Sequence, residues 1–130
     1  MKTKTLLRWL AALGFIAAGA NHFRIAEVYM SVIPHYLPWP RALSDISGVA
    51  EILGGIGILI PIVRVAAGWG LIALLVAVFP ANIEMALHGF RAVPGWILWL
   101  RLPFQLVFVA WVYWTCCCAG DLSKAAVKRC

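Results

Sequence analysis

The sequence predicts an all-α protein: a four-helix transmembrane bundle, up-down-up-down, forming one integral membrane domain over residues 1–130. Three observations predict it. Of the 130 residues, 64% are hydrophobic and 12% charged, against about 45–50% and about 25% in soluble chains. A water-soluble core could not hide that much apolar surface. Four segments come near the roughly 20 mostly apolar residues that a spanning helix needs. The basic residues stand beside the ends of these segments rather than along one soluble face.

The first helix is expected over residues 5–22. Its opening, MKTKTLLRWLAALGFIAAGAN, also has the form of a secretory signal, with a basic start, an apolar run and Ala18-Gly19-Ala20 as a small-residue cleavage site. Arg8 and Trp9 lengthen it into a span, and retention gives an even number of helices. The connector FRIAEVYMSVIPHYLPWPRALSD follows. Pro34, Pro38 and Pro40 bar a continuous helix there, while Tyr29, Tyr36 and Trp39 suit a membrane interface. A short interfacial helix over residues 25–32 and an extended lid over the outer mouth are expected. The second helix, residues 43–60, begins near Ser44 or Asp45, either of which can accept a backbone N–H as a cap. PIVR turns the chain at Pro61. The third helix covers residues 65–87 with Pro80 in its outer part, and HGFRAVPG leads to the fourth, residues 96–116. Connections this short place consecutive helices side by side and antiparallel.

The charge of +6 invites a nucleic-acid reading. No basic face with interleaved aromatics supports one. Lys2, Lys4, Arg8, Arg64, Lys124, Lys128 and Arg129 mark one side of the bundle, and Arg24, Arg41 and Arg91 the other. The positive-inside rule then puts both termini in the cytoplasm of a multi-pass inner-membrane protein.

Cys116, Cys117 and Cys118 lie at the inner end of the last helix, and Cys130 is the last residue. Their spacing matches no zinc or redox signature, and a reducing cytoplasm disfavours disulfides. Small polarizable packing residues are the plainer reading. Metal or thiol chemistry is the alternative.

In lipid, helices approach through small residues. Gly14, Ala18 and Asn21 form such a stripe on the first helix; Ser44, Gly48, Glu51 and Gly55 form one on the second. On the third, Gly70, Ala73, Ala77, Ala81, Glu84 and His88 share a face. Each stripe turns polar toward its outer end. The last helix carries Arg101 inside WILWLRLPFQLVFVAW, where a charge costs about 2.5–3.5 kcal/mol on insertion scales unless it meets a partner or a cavity. Counting ~1.5 Å per residue, Arg101 lies about 10 Å deep and Glu51 about 12 Å. An intramembrane Glu51–Arg101 ion pair is therefore expected, with Asn82 and Gln105 satisfying leftover donors and acceptors. His22 with Asn21, and His88 with Glu84, complete an outer polar layer above an apolar inner half. Such a pair either serves a site or only fixes helix register.

The pieces AGANHF, IPHYLPWP, SGVAEILGGIGILIP, FPANIEMALHG and WLRLPFQLVFVAW, in this order and spacing, resemble the DoxX-like family of small four-helix membrane proteins. The resemblance implies weight on His22, Gly48, Glu51, Pro80, Asn82, Arg101, Pro103 and Gln105. It also implies kinship with membrane subunits of quinone-reducing thiosulfate oxidoreductases and with accessories of redox or maturation systems. Three functions follow as expectations. One is a redox-associated membrane subunit whose polar layer takes a quinone-like headgroup, with electrons supplied by a partner protein. Another is a small proton-coupled transporter working as a homo-oligomer, and the third an assembly factor without catalysis. No covalently bound cofactor and no metal site is expected, and no nucleotide fingerprint is present.

Overall fold

The computed structural model describes residues 2–90 and 93–118. Its elements are α1 (Thr3–Arg24), α2 (Ala26–Ser31), α3 (Pro40–Gly57), α4 (Arg64–His88) and α5 (Gly95–Val112), which runs on into a π turn (Tyr113–Cys117). The protein is all-helical, with five α-helices and no β-strand among the described residues. The short helix expected in the connector is α2, and the four long helices, with α5 counted through its π turn, fall within three residues of their expected limits. Arg91, Lys124, Lys128, Arg129 and Cys130 lie outside the described residues.

The start of α3 departs from expectation for a local reason. Pro40 opens the helix, since its fixed φ suits the first helical position and its missing N–H is not needed there. The preceding Trp39 lies outside the helix in the left-handed region, at φ 52° and ψ 60°, and the right-handed helical region is in any case disfavoured for a residue before proline. Ser44 and Asp45 therefore lie inside the helix and cap nothing. Gly89, at φ 74°, ends α4, as glycine does where the backbone must turn left-handed.

Long helices meet as antiparallel neighbours. α1 packs on α3: a Cβ on Gly19 would lie 2.6 Å from the Gly48 carbonyl oxygen, and one on Gly55 would lie 2.9 Å from that of Ala12. α3 packs on α4 through Gly54 against Leu71 and Gly57 against Ala67. α4 packs on α5, and Gly68 admits Cys116 and Cys117 of the π turn. The π turn also touches α1, where the buried Arg8 donates from Nε and Nη2 to the Thr115 carbonyl at 3.1 and 2.6 Å. The base of the molecule is thus the end where α1 begins and α5 finishes.

The stripe expectation holds for α3 alone. Gly48 and Gly55 bring α3 onto α1. On α1 the close contacts fall to Ala12 and Gly19, while a Cβ on Gly14 would meet nothing within 4 Å. On α4 they fall to Ala67, Gly68 and Leu71, and Gly70 likewise faces open space. In the half of the molecule away from the polar layer, the buried side chains are apolar except for Arg8 and Thr115.

Two small cores result. Ala11, Ala12, Phe15, Ile58, Leu71, Val112, Cys116 and Cys117 form one at the base; Met85, Ala86 and Leu98 form another toward the top. The buried cysteines thus serve as base packing. Among the described residues two helices are long and apolar enough to cross a membrane, Arg64–His88 and Gly95–Cys117, and only 17% of the apolar window of each is buried inside the protein. α1 and α3 are less apolar because each carries charges: Lys4, Arg8 and Arg24 in one, Arg41, Asp45 and Glu51 in the other.

Candidate functional site

Between the two cores lies a partly open cavity of about 610 Å³. Small residues make it: Gly14 and Ala18 on α1 and Ala77 and Ala81 on α4 line it, so the faces expected to close helix against helix instead leave room between them. Its walls are mainly apolar, with Phe15, Leu75, Phe104 and Phe108 among them. α2 and the following loop cover the top through Tyr29, Val32, Pro34 and Leu37.

His22, Glu51, Asn82, Arg101 and Gln105, the five leading candidates from the sequence, all line this one cavity. Their pairings differ from those expected. His22 is buried near the end of α1 and held by two elements, α2 and α3. Its Nδ1 shares a hydrogen bond with Ser44 Oγ at 3.1 Å, its ring stacks on Tyr29 with centroids 3.8 Å apart, and its Nε2 stands 3.7 Å from Glu51 Oε2. The tight Gly19–Gly48 approach, one turn away, makes this convergence possible.

Glu51 therefore faces His22 and is not ion-paired with Arg101. Equal depth did not ensure contact, because α3 and α5 stand on opposite sides of the cavity while α1 lies directly against α3. Arg101 is exposed to the cavity opposite. Asn82 and Gln105 do not serve that pair either. The Asn82 amide donates to the Gln105 side-chain carbonyl, and the Gln105 amide donates to the Leu75 backbone carbonyl. Pro80, inside α4, supplies no N–H to the preceding turn. Pro80 also lines the cavity, whereas Pro103 does not.

Asn21, Glu84 and His88 are not brought to the cavity. Asn21 is half-buried on α1, its carbonyl accepting the Ile25 N–H at 3.0 Å. His88 Nδ1 and Glu84 Oε1 pair one helical turn apart at 3.2 Å near the surface. Tyr29 and Ser44 are the residues that sequence reasoning passed over as site members. Ser44 could have been found from its place one turn before Gly48 and two before Glu51; Tyr29 has no comparable signal, since α2 must fold back before its ring can stack. Burial pushes the Tyr29 phenol above its usual range, the Glu51 charge adds to this, and Arg101 opposes it. Both charges thus act on one phenol.

Glu51 Oε2 and Trp111 Nε1 are buried side-chain atoms without a hydrogen-bond partner, and both residues line the cavity. Leaving such an atom unsatisfied costs about 1–3 kcal/mol. A ligand donor could meet Glu51, and Arg101 could meet a ligand acceptor across from it. Among the described residues no three His, Cys, Asp or Glu side chains are grouped to hold a metal ion.

No curated protein and no solved structure matches the chain. A family model does match, over residues 10–116, a span that contains every residue lining the cavity. The chain belongs to that family, described as a domain of unknown function (DUF8561).

Proposed function

We propose that the chain is a multi-pass inner-membrane protein of the DoxX-like type, and that its cavity binds a quinone-like headgroup on behalf of a redox partner. In this reading α1, α3, α4 and α5 with its π turn cross the bilayer as a four-helix bundle, and both termini lie in the cytoplasm. α2 and the loop after it form the lid on the outer side. The helices of 22, 18 and 25 residues extend ~33, ~27 and ~37 Å at ~1.5 Å per residue, close to the ~30 Å hydrocarbon thickness. The carrying observation is the convergence of His22, Glu51, Asn82, Arg101 and Gln105 on one apolar-walled cavity, the composition expected of a site for a small ring with a few polar atoms.

Within it, Glu51 accepts from one ring hydroxyl of the quinol and takes up its proton, which passes on through His22, while Arg101 donates to the other ring oxygen. Purified protein titrated with decylubiquinol should bind it, and Glu51→Ala should weaken binding about tenfold, the loss expected for one hydrogen bond to a charged group. Absence of binding, together with absence of quinone-dependent activity in membranes containing its co-purifying partners, would overturn the proposal.

A second reading, a proton-coupled transporter working as a homo-oligomer, is favoured by the same carboxylate. Glu51 is not neutralised by Arg101 and has an oxygen without a hydrogen-bond partner, as a proton-exchanging group requires. Flux into proteoliposomes that disappears in Glu51→Gln would select this reading over the first.

A further inference from the structure

We infer that the cavity is entered sideways, through a portal between α1 and α5, by a lipid-soluble amphiphile whose head meets the polar layer while its apolar tail passes Gly14. The inference rests on the proposed membrane setting and deepens the ligand assignment.

The packing pattern leaves this route open. α1 lies along α3, and α5 lies along α4, but α1 and α5 are joined through the π turn rather than along their lengths. That junction is the Arg8–Thr115 contact at the base. At the opposite end, α2 and its loop cover the top of the cavity. Between these two closures, Leu10 and Gly14 of α1 and Leu100 and Phe104 of α5 line the cavity. Leu10, Leu100 and Phe104 are nonetheless 49%, 50% and 55% exposed, which places them on its rim. A Cβ at Gly14 would meet nothing within 4 Å. The gap therefore has apolar edges and a glycine where a chain could pass.

The two ends of the cavity require different parts of one ligand. Near the lid stand the orphaned Glu51 Oε2 and the Arg101 guanidinium, which call for a head with both a donor and an acceptor. Phe104, Phe108, Gly14 and Ala18 also line the cavity, an apolar surface that suits a hydrocarbon tail. A tail-less polar solute would leave that surface uncovered.

Two measurements on the full chain in phospholipid vesicles test the portal. Gly14→Trp should weaken decylubiquinol binding at least tenfold, while the tail-less hydroquinone with the same ring binds within about twofold of wild type. Equal loss for both ligands, or loss for neither, would overturn the route, while headgroup binding by the wild-type protein is read separately from its affinity for the tail-less hydroquinone. The second readout does not depend on quinol binding. A phospholipid with a diazirine at its acyl terminus should label Gly14, Ala18, Phe104 or Phe108 in wild type, and Gly14→Trp should reduce that labelling. Labelling confined to outward residues such as Leu13 and Leu106 would sink the portal, whether or not any quinol binds.

Discussion

Gln105 links the two halves of the polar layer's amide side, and its environment predicts what its loss would do. It is 6% exposed, takes a hydrogen bond from Asn82 and gives one to the Leu75 carbonyl. Side-chain hydrogen bonds between membrane helices average about 0.6 kcal/mol, with a maximum of about 1.7. Gln105→Leu, of similar length but without polar atoms, should therefore cost about 1–2 kcal/mol in detergent thermal unfolding. Because Asn82→Ala removes one of the same bonds, the double variant should lose less than the sum of the singles. Strict additivity would show that the amides do not act as a unit. At this scale the membership of the site was legible and its pairing was not. Arg101, Glu51, Asn82 and Gln105 each stand out as polar groups within apolar helices, and one-dimensional depth brings them to a common level. Depth carries no information on which helices are adjacent, so His22 rather than Arg101 became the neighbour of Glu51.

Between α1 and α3 the decisive quantity is backbone separation. A Cβ on Gly48 would lie 2.8 Å from His22 Cβ and 3.0 Å from the Gly19 carbonyl oxygen, so Gly48→Ala must push the helices apart. Overpacking of this kind costs about 1–3 kcal/mol, and the displacement would also carry His22 away from Glu51. Gly14→Ala, into open space, should leave the thermal midpoint unchanged within error. Equal destabilisation by the two alanines would refute the division between a packing glycine and a cavity glycine. Helix limits and the small interfacial helix could be read from apolar length, proline and glycine. The role of a small-residue stripe could not, because a small side chain permits either close approach or a void. Only the partner decides: opposite Gly48 comes Gly19, whereas opposite Gly14 comes the cavity.

For the molecule as a whole, the cavity persists only if the ends around it are closed, and Arg8 provides the closure at the base. Sequence reasoning placed Arg8 among the flanking positive residues; in the fold it is 6% exposed. The physical cause lies at the other end of the chain. A helix end leaves carbonyls without N–H partners, and the π turn, closed by the Cys118 N–H bonding to the Tyr113 carbonyl at 3.0 Å, offers its Thr115 carbonyl to the guanidinium. A fork with two donors on one oxygen joins α1 to the end of α5, and hydrogen bonds from a charged group contribute about 1.5–3 kcal/mol. Arg8→Ala should therefore lower the thermal midpoint by about 5–10 °C for a chain of this size. Arg8→Lys should recover only part of the loss, since an ammonium lacks the planar fork. The same variants should raise acyl-diazirine labelling at Phe108 and Trp111, because the portal widens when its lower tie is released. An Arg8→Ala protein with wild-type midpoint and wild-type labelling would mean that other contacts, such as Lys4 over the Trp114 ring at 5.2 Å, hold α1 to the end of α5.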